Sequence, residues 1–179
     1  MWARFVIIAI FSLLVAGGAR AQVVDEYQVK AAFLYNFVRF VEWPAQAFKS
    51  PQEPITIGVI GRDPFRGALE EAVQGKMVAG RTLAVRDLPE SAPVCECQVI
   101  FVAVSERKRF RSILEKLKAP GVLIVGEASG FANDGGVINF RLENGKVRFE
   151  INVDAAADEH LKLSSRLLAL AEIVRSGKK

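Results

Sequence analysis

Cysteine and histidine are scarce in this sequence, which has two cysteines and one histidine in 179 residues. A structural zinc site takes four ligands, usually Cys and His, so Cys95, Cys97 and the distant His160 predict no metal centre. The sequence has no Gly-x-Ser-x-Gly nucleophile motif. Gly75-Lys76 lacks both the glycine-rich run and the following hydroxyl of a phosphate-binding loop. Because no set of residues fills the roles of nucleophile, base and stabiliser together, we expect a protein that is not an enzyme and needs no cofactor.

Long apolar runs are also missing, except near the start of the chain. Residues 5–15 are apolar apart from Ser12, follow Arg4, and precede the small side chains of the triplet 19–21. This order is typical of a secretory signal peptide with cleavage after Ala21. The run is shorter than the span of about 20 apolar residues that a bilayer needs, and an uncleaved anchor is the alternative. We therefore expect residues 1–21 to be a signal peptide and residues 22–179 to form one domain outside the cytoplasm.

A strong excess of one charge is absent as well. The full chain has 24 basic and 20 acidic side chains. Loss of residues 1–21, which include Arg4 and Arg20, leaves 22 basic against 20 acidic side chains, a net charge of +2. So small an excess gives no reason to expect nucleic acid as a partner.

Cys95 and Cys97 are separated by a single residue and form a candidate redox site. On a strand their Cα atoms would lie about 6.6 Å apart, near the upper limit for a disulfide. Export makes disulfides possible. Three states therefore stay open for this pair: two reduced thiols, a strained bridge between them, or a bridge between two chains.

The sequence after residue 21 alternates between short apolar runs and helical patterns. Strands are predicted over residues 55–60, 81–87, 97–104 and 122–125, and helices over residues 27–41, 65–74 and 105–118. A hairpin of residues 137–142 and 146–151 is predicted about Asn144-Gly145, because Asn-Gly is the strongest short turn signal. A short helix over residues 154–160 and a helix capped by Ser164 follow. This order predicts an α/β domain with a mainly parallel sheet, flanked by helices on both faces, and a C-terminal antiparallel β-hairpin.

Two of these helices carry apolar stripes. Asp25 is the expected N-cap of the first helix. We expect the stripe of this helix to pack in the core, and binding of a partner protein is the alternative. That stripe is Val29, Ala32, Phe33, Asn36, Phe37, Phe40 and Val41. The last helix is expected to bury Leu167, Leu168, Leu170, Ala171 and Val174.

Polar side chains follow three of the predicted strands. Arg62 and Asp63 come after the first, Ser105 and Glu106 after the third, and Glu127 after the fourth. In a parallel sheet these positions meet at the carboxyl edge, where ligands bind. Asp63 and Ser105 are also the expected N-caps of the next helices, and helix N-termini bind anions. A small-molecule site and capping alone are both compatible with this pattern.

Several short runs occur in the order found in the YfiR (HmsC-like) family of periplasmic regulatory proteins. The most distinctive is the run of residues 29–44, VKAAFLYNFVRFVEWP. The further matches are residues 57–61, 64–65, 80–81, 97–101, 105–106, 130–131, 135–136, 138–140, 146–152 and 163–168. The sequence therefore resembles this family over nearly all of residues 22–179.

The resemblance implies a homodimeric protein of the periplasm. Its best-understood relatives repress an inner-membrane diguanylate cyclase by binding the periplasmic sensor domain of that enzyme, and an outer-membrane-linked partner sequesters the repressor. We therefore expect control of cyclic-di-GMP and biofilm formation. A small-molecule binding module without a cyclase partner is the alternative. The candidate residues for ligand or partner binding are Arg62, Asp63, Phe65, Arg81, Ser105 and Glu106.

The cysteine pattern departs from that of the signalling relatives. They carry additional cysteines, one on the first strand and a pair near the C-terminal hairpin. In this sequence the first-strand position falls at or beside Gly58, and residues 127–149 hold no cysteine. Cys97 matches a family cysteine, but this sequence lacks the cross-strand cysteine that would be its partner. The resemblance therefore does not extend to the disulfides that control those relatives.

Overall fold

The computed structural model describes residues 18–89 and 97–176. In these two segments the chain forms five α-helices and ten β-strands. The helices are α1 (Gly18–Phe40), α2 (Ala68–Val73), α3 (Phe110–Leu117), α4 (Val153–Asp158) and α5 (Ser165–Leu168). The strands are β1 (Val41–Glu42), β2 (Ile55–Ile60), β3 (Met77–Val78), β4 (Arg81–Leu88), β5 (Val99–Val102), β6 (Leu123–Gly126), β7 (Ile138–Glu143), β8 (Lys146–Asn152), β9 (Lys162–Leu163) and β10 (Glu172–Val174).

An eight-stranded sheet with the order β10-β8-β7-β6-β5-β2-β4-β3 lies at the centre of the fold. Strands β4, β2, β5, β6 and β7 run parallel to one another. Strand β8 pairs antiparallel with β7, and β3 pairs antiparallel with β4. This topology confirms the prediction of a mainly parallel sheet with a C-terminal antiparallel hairpin.

The order of the parallel strands reverses once. The chain passes from β2 to β4 on one side and then returns to form β5 on the other side of β2. Such a reversal leaves a crevice at the carboxyl ends of the two strands that flank it, here β2 and β5. The residues that follow these strands are therefore brought to one edge of the sheet.

Helices cover the sheet on both faces, as predicted. All residues of β2, β5 and β6 are buried, as expected for parallel strands that are covered on both sides. One apolar cluster packs α1 and α2 on one face and includes Phe37 and Leu69. A second cluster packs α3 on the opposite face and includes Phe110 and Leu114. Burial of each such side chain stabilises the fold by about 1.5–3 kcal/mol.

The first helix differs from its prediction in its start and in its buried face. It begins at Gly18, so Asp25 lies inside the helix and is not its N-cap, while residues 1–17 of the predicted signal peptide lie outside the described residues. Within residues 26–40 of this helix, the buried positions are Lys30, Ala31, Leu34, Phe37 and Val38. Of the predicted stripe, Val29 and Ala32 are exposed, and Phe33, Asn36 and Phe40 are only partly buried. The apolar residues extend most of the way round this helix, so periodicity alone did not decide which of them face the sheet.

The hairpin turn agrees with its prediction. Asn144 and Gly145 have φ values of 51° and 72°. Two consecutive left-handed residues match the right-handed twist of the flanking strands, which is why Asn-Gly is favoured in this turn. The pairing of Leu142 with Val147 and of Phe140 with Phe149 follows from that turn.

The C-terminal helix is much shorter than predicted. Ser164 caps it as expected, because its hydroxyl accepts a hydrogen bond from the Leu167 amide at 3.2 Å. The helix ends at Leu168, however, and Leu170 is exposed. The chain then forms β10, which pairs parallel with β8. This pairing satisfies the backbone edge of β8, so tertiary contact overrides the helical pattern.

Candidate functional site

The structure brings three of the predicted site residues together at the crevice between β2 and β5. The Ser105 hydroxyl accepts a hydrogen bond from the Arg62 amide at 3.0 Å and lies 3.1 Å from Oε1 of Glu106. Glu106 is buried, and its carboxylate pairs with Arg109 at 2.5 Å. A Cβ atom built on Gly61 would lie only 2.5 Å from the Ser105 oxygen. Side chains of the protein itself therefore fill this part of the crevice.

The two predicted N-caps at this edge do not cap helices. The Asp63 carboxylate accepts from the amides of Phe65 and Arg66 at 2.9 and 3.1 Å, which closes a tight turn. Helix α2 begins only after Gly67, whose φ is 92°. Ser105 lies inside a 3-10 turn, Val104–Glu106, and α3 begins at Phe110. The turns displace both helix N-termini from the strand ends, so neither lies where the sequence placed an anion site.

The remaining two candidates of this set have structural contacts. Phe65 is buried, with its ring 4.8 Å from that of Phe101 in an edge-to-face arrangement. Arg81 donates to the carbonyl oxygens of Ser50 and Glu53 at 2.9 and 2.6 Å. Its guanidinium also lies 3.7 Å from the centre of the Phe48 ring. Arg81 therefore stabilises the segment that precedes β2 by hydrogen bonds to its backbone.

Only one of the two candidate redox residues lies in the described part of the chain. Cys97 is buried, at 3% exposure, on the sheet face that α3 covers. A Cβ atom built on Gly58 would lie 3.2 Å from its sulfur. Cys95 is outside the described residues, so a redox role of the cysteine pair stays a prediction.

A charged cluster that the sequence did not predict lies where α1 crosses the carboxyl edge of the sheet. Lys30 is a helix residue with only 4% exposure. Its ammonium lies 2.5 Å from Glu26 Oε1 and 2.6 Å from Glu127 Oε2. It also lies 4.5 Å from the centre of the Tyr27 ring, within the range of a cation–π contact. A buried lysine is stable in this position because two carboxylates and an aromatic ring replace its hydration.

Glu127 connects this cluster to two strand ends. It follows β6 directly, and its Oε1 accepts from the Val104 amide, just after β5, at 2.8 Å. The Tyr27 hydroxyl donates to the same carboxylate at 3.1 Å. Burial, and next the charge of Glu127, raise the pKa of Tyr27 well above its ordinary value. Tyr27 therefore stays protonated and keeps donating to Glu127 at physiological pH.

A second charged group lies on the hairpin. Arg141 lies 2.7 Å from a carboxylate oxygen of each of Glu143, Glu150 and Glu172. Glu150 also accepts from the Asn139 amide nitrogen at 3.1 Å. The Asn139 side-chain oxygen is buried and has no hydrogen-bond partner among the described residues.

A cavity of about 660 Å³ lies between the two charged groups. Strand β6 pairs with β7 only as far as Gly126 and Asn139, while β7 runs on to Glu143. The shorter strand leaves a notch beside β7, and the cavity occupies this notch. Its lining includes Tyr27 and Asn139 together with six charged residues: Glu26, Lys30, Glu127, Arg141, Glu143 and Glu150. We call it the notch cavity.

The sequence contained a partial signal for this site. Glu127 follows a predicted strand, and Glu26 and Lys30 have the i,i+4 spacing of a helical ion pair. Nothing in the sequence indicated that Lys30 would be buried or that it would meet Glu127. No group of three or more potential metal ligands occurs within residues 18–89 and 97–176. Among the helices of these segments, none combines the length and hydropathy that a membrane crossing requires.

A solved structure shares the fold of this chain. It is described as the ABC domain in complex with L-Trp from Streptococcus pneumonia, and it superposes with a TM-score of 0.51 at 13% sequence identity. The match covers 67% of this chain and 55% of the other, so this chain spans about half the length of that protein. At this identity the likeness shows a common fold alone. No curated protein matches the sequence significantly.

The family assignment comes from the sequence. The model of the YfiR/HmsC-like family matches residues 27–172, which run from the middle of α1 to the start of β10. This range includes Tyr27, Lys30 and Glu127 as well as both strands of the hairpin. It also agrees with the resemblance of residues 29–44. The chain belongs to the YfiR/HmsC-like family, whose members are regulatory proteins of the periplasm that act in cyclic-di-GMP signalling.

Proposed function

We propose that this protein represses an inner-membrane diguanylate cyclase by binding the periplasmic sensor domain of that enzyme. The observation that carries the proposal is the family match over residues 27–172, because this is a regulatory and not a catalytic family. An N-terminal segment with the features of an export signal supports the same compartment.

The contacts of the buried polar groups also favour a regulatory role. Glu127 and Tyr27 form an acid–hydroxyl pair that lines the notch cavity. Glu127, however, accepts from Lys30, Tyr27 and the Val104 amide. Groups that are engaged in this way hold α1 against β5 and β6 and are poorly placed to exchange protons with a substrate. The cluster therefore has a structural role, which is to connect α1 to the ends of β5 and β6.

Deletion of the gene tests the proposal in cells. We expect a rise in cyclic-di-GMP and in surface attachment, and a return to the wild-type level when the full-length protein is supplied from a plasmid. Deletion of the cyclase gene in the same strain should abolish the rise. Unchanged cyclic-di-GMP after deletion would contradict the proposal, as would failure of the purified protein to capture any cyclase from solubilised inner membranes.

The mature form and its partners are further parts of the proposal. We infer that residues 1–21 are removed and that residues 22–179 act as one domain, a homodimer that an outer-membrane-linked protein sequesters. Intact-mass spectrometry of the exported protein should give a chain that begins at Gln22, and light scattering should give twice the mass of that chain. A chain that retains residues 1–21, or a monomer at micromolar concentration, would contradict the corresponding part.

The notch cavity favours a second candidate function, the binding of a small molecule. Its volume of about 660 Å³ lies within the range of about 300–1,000 Å³ that is usual for ligand sites. It also lies beyond the carboxyl ends of β5 and β6, where α/β proteins bind ligands. A thermal-shift screen of periplasmic metabolites would test this function, and the absence of any stabilising compound would count against it.

A further inference from the structure

We propose that the notch cavity binds a small organic cation with two primary ammonium groups, a diamine. This inference specifies the ligand of the second candidate function, and it does not depend on the identity of any protein partner. Three observations on the cavity lead to it: the balance of its charges, an acceptor without a donor, and the open side of β7.

The charges of the cavity do not balance. Lys30 is shared by two carboxylates, Glu26 and Glu127. Arg141 is shared by two lining carboxylates, Glu143 and Glu150, and by Glu172 beside them. The described lining thus holds four carboxylates and two cations. Since the local field is negative at both ends of the cavity, a cationic ligand is attracted and an anion is repelled.

Asn139 supplies an acceptor that lacks a donor. The residue is 2% exposed, and its amide nitrogen donates to Glu150. This bond fixes the orientation of the amide, because a rotated amide would turn its oxygen toward the carboxylate. The amide oxygen has no partner in the described part of the chain. Buried acceptors are normally paired, and an ammonium group in the cavity that Asn139 lines supplies the kind of donor that this oxygen lacks.

The geometry suits a short, extended ligand with a charge at each end. One carboxylate pair lies on the α1 side around Lys30, and the other lies on the hairpin around Arg141. The side of β7 beyond Asn139 that faces the cavity has no paired strand among the described residues. Because both carboxylate pairs line the same cavity, a ligand that extends across it can contact both pairs. A bare metal ion fits less well, because no group of three potential metal ligands is found in the described segments.

Isothermal titration of the mature protein with three compounds of equal length tests the inference. The compounds are 1,4-diaminobutane, 4-aminobutanoate and 1,4-butanediol, which carry two positive charges, one charge of each sign, and no charge. We expect the diamine to bind at least tenfold more tightly than 4-aminobutanoate, and the diol not to bind. The affinity for the diamine should fall as salt is added.

Two variants locate the site, and a third serves as a matched control. Glu143→Gln removes one exposed carboxylate of the cavity and should weaken the binding of the diamine at least fivefold. Asn139→Leu removes the acceptor without a change of charge and should weaken it as well. Glu115→Gln removes an exposed carboxylate on α3 that does not line the cavity, and it should leave affinity unchanged.

Three results would overturn the inference: no binding of the diamine at millimolar concentration, equal binding of the three compounds, or an equal loss in the Glu143 and Glu115 variants. Because the titration uses purified protein and no cyclase, its outcome is independent of the cellular test of repression. A normal rise of cyclic-di-GMP in the deletion strain, with no binding of the diamine, would leave the regulatory proposal in place and remove this one.

Discussion

Replacement of Lys30 by methionine tests the buried charge cluster most directly. Methionine keeps most of the length of the side chain and its contact with the Tyr27 ring, but it removes the ammonium that Glu26 and Glu127 share. The Glu127 side chain is 4% exposed, so its charge cannot be rehydrated without opening the contact between α1 and the strand ends. Loss of one partner of a buried ion pair costs about 3–5 kcal/mol. For a domain of this size, that loss lowers the melting temperature by roughly 6–20 °C.

Urea unfolding of residues 22–179, followed by circular dichroism, measures this effect. Lys116→Met, at an exposed position of α3, is the matched control and should change the free energy of unfolding by less than about 0.5 kcal/mol. The double variant Lys30→Met/Glu127→Gln removes the uncompensated charge, and we expect it to be more stable than Lys30→Met alone. The reasoning would be refuted if Lys30→Met lost less than about 1 kcal/mol, or if the two changes added without coupling.

Three further predictions concern single residues elsewhere in the fold. Burial raises the pKa of Glu159 from 4.5 to about 7, so folding favours its protonated form: stability is fully present below pH 4.5 and falls by up to about 3 kcal/mol as the pH rises to 7. The urea midpoint of the wild type should fall between pH 4.5 and pH 7.5, and that of Glu159→Gln should not. An equal fall of the midpoint in both proteins would exclude Glu159 as its cause. A Cβ atom on Gly136 would lie 2.1 Å from the ring of Phe131, which is fully buried, so Gly136→Ala should cost about 1–3 kcal/mol in the same assay, and Phe131→Leu should relieve part of that loss. A Cβ atom on Gly58 would lie 3.2 Å from the Cys97 sulfur but would clash with the Leu88 side chain, so we expect Gly58→Cys combined with Leu88→Ala to form a disulfide with Cys97 after oxidation; peptide mapping in which the two cysteines are never linked would contradict the proximity of Gly58 and Cys97.

Local signals in the sequence were sufficient for the turns and for several strands. Asn144-Gly145 is a favourable pair for a tight hairpin, and Ser164 is a favourable helix cap, whatever lies around them. The apolar side chains of β2 and β6 point to both faces of the sheet, so they leave water only when both faces are covered. These elements depend on backbone preferences and on the composition of short segments, which the sequence contains in full.

The same local signals were wrong where a neighbouring element competed. Asp63 and Ser105 are residue types that commonly cap helices. Asp63, however, accepts from two amides of its own turn, and Ser105 accepts from the amide of Arg62 in a different turn. Residues 172–174 carry part of a helical stripe, but the edge of β8 offered them backbone hydrogen bonds. A helix cap contributes about 0.5–2 kcal/mol, and helix propensity contributes about 1 kcal/mol or less per residue, so a tertiary contact that contributes more overrides both.

The sequence by itself determined that residues 27–172 form an α/β domain of the YfiR/HmsC-like family, because strand patterns, turn residues and family motifs are properties of consecutive residues. Only the tertiary structure decided that Lys30 is buried and that it meets Glu127, 97 residues away. It also decided that β6 ends early enough to leave the notch cavity beside β7. Distant charges come together through the packing of α1 on the sheet edge, and this packing depends on the whole set of buried side chains rather than on any local pattern.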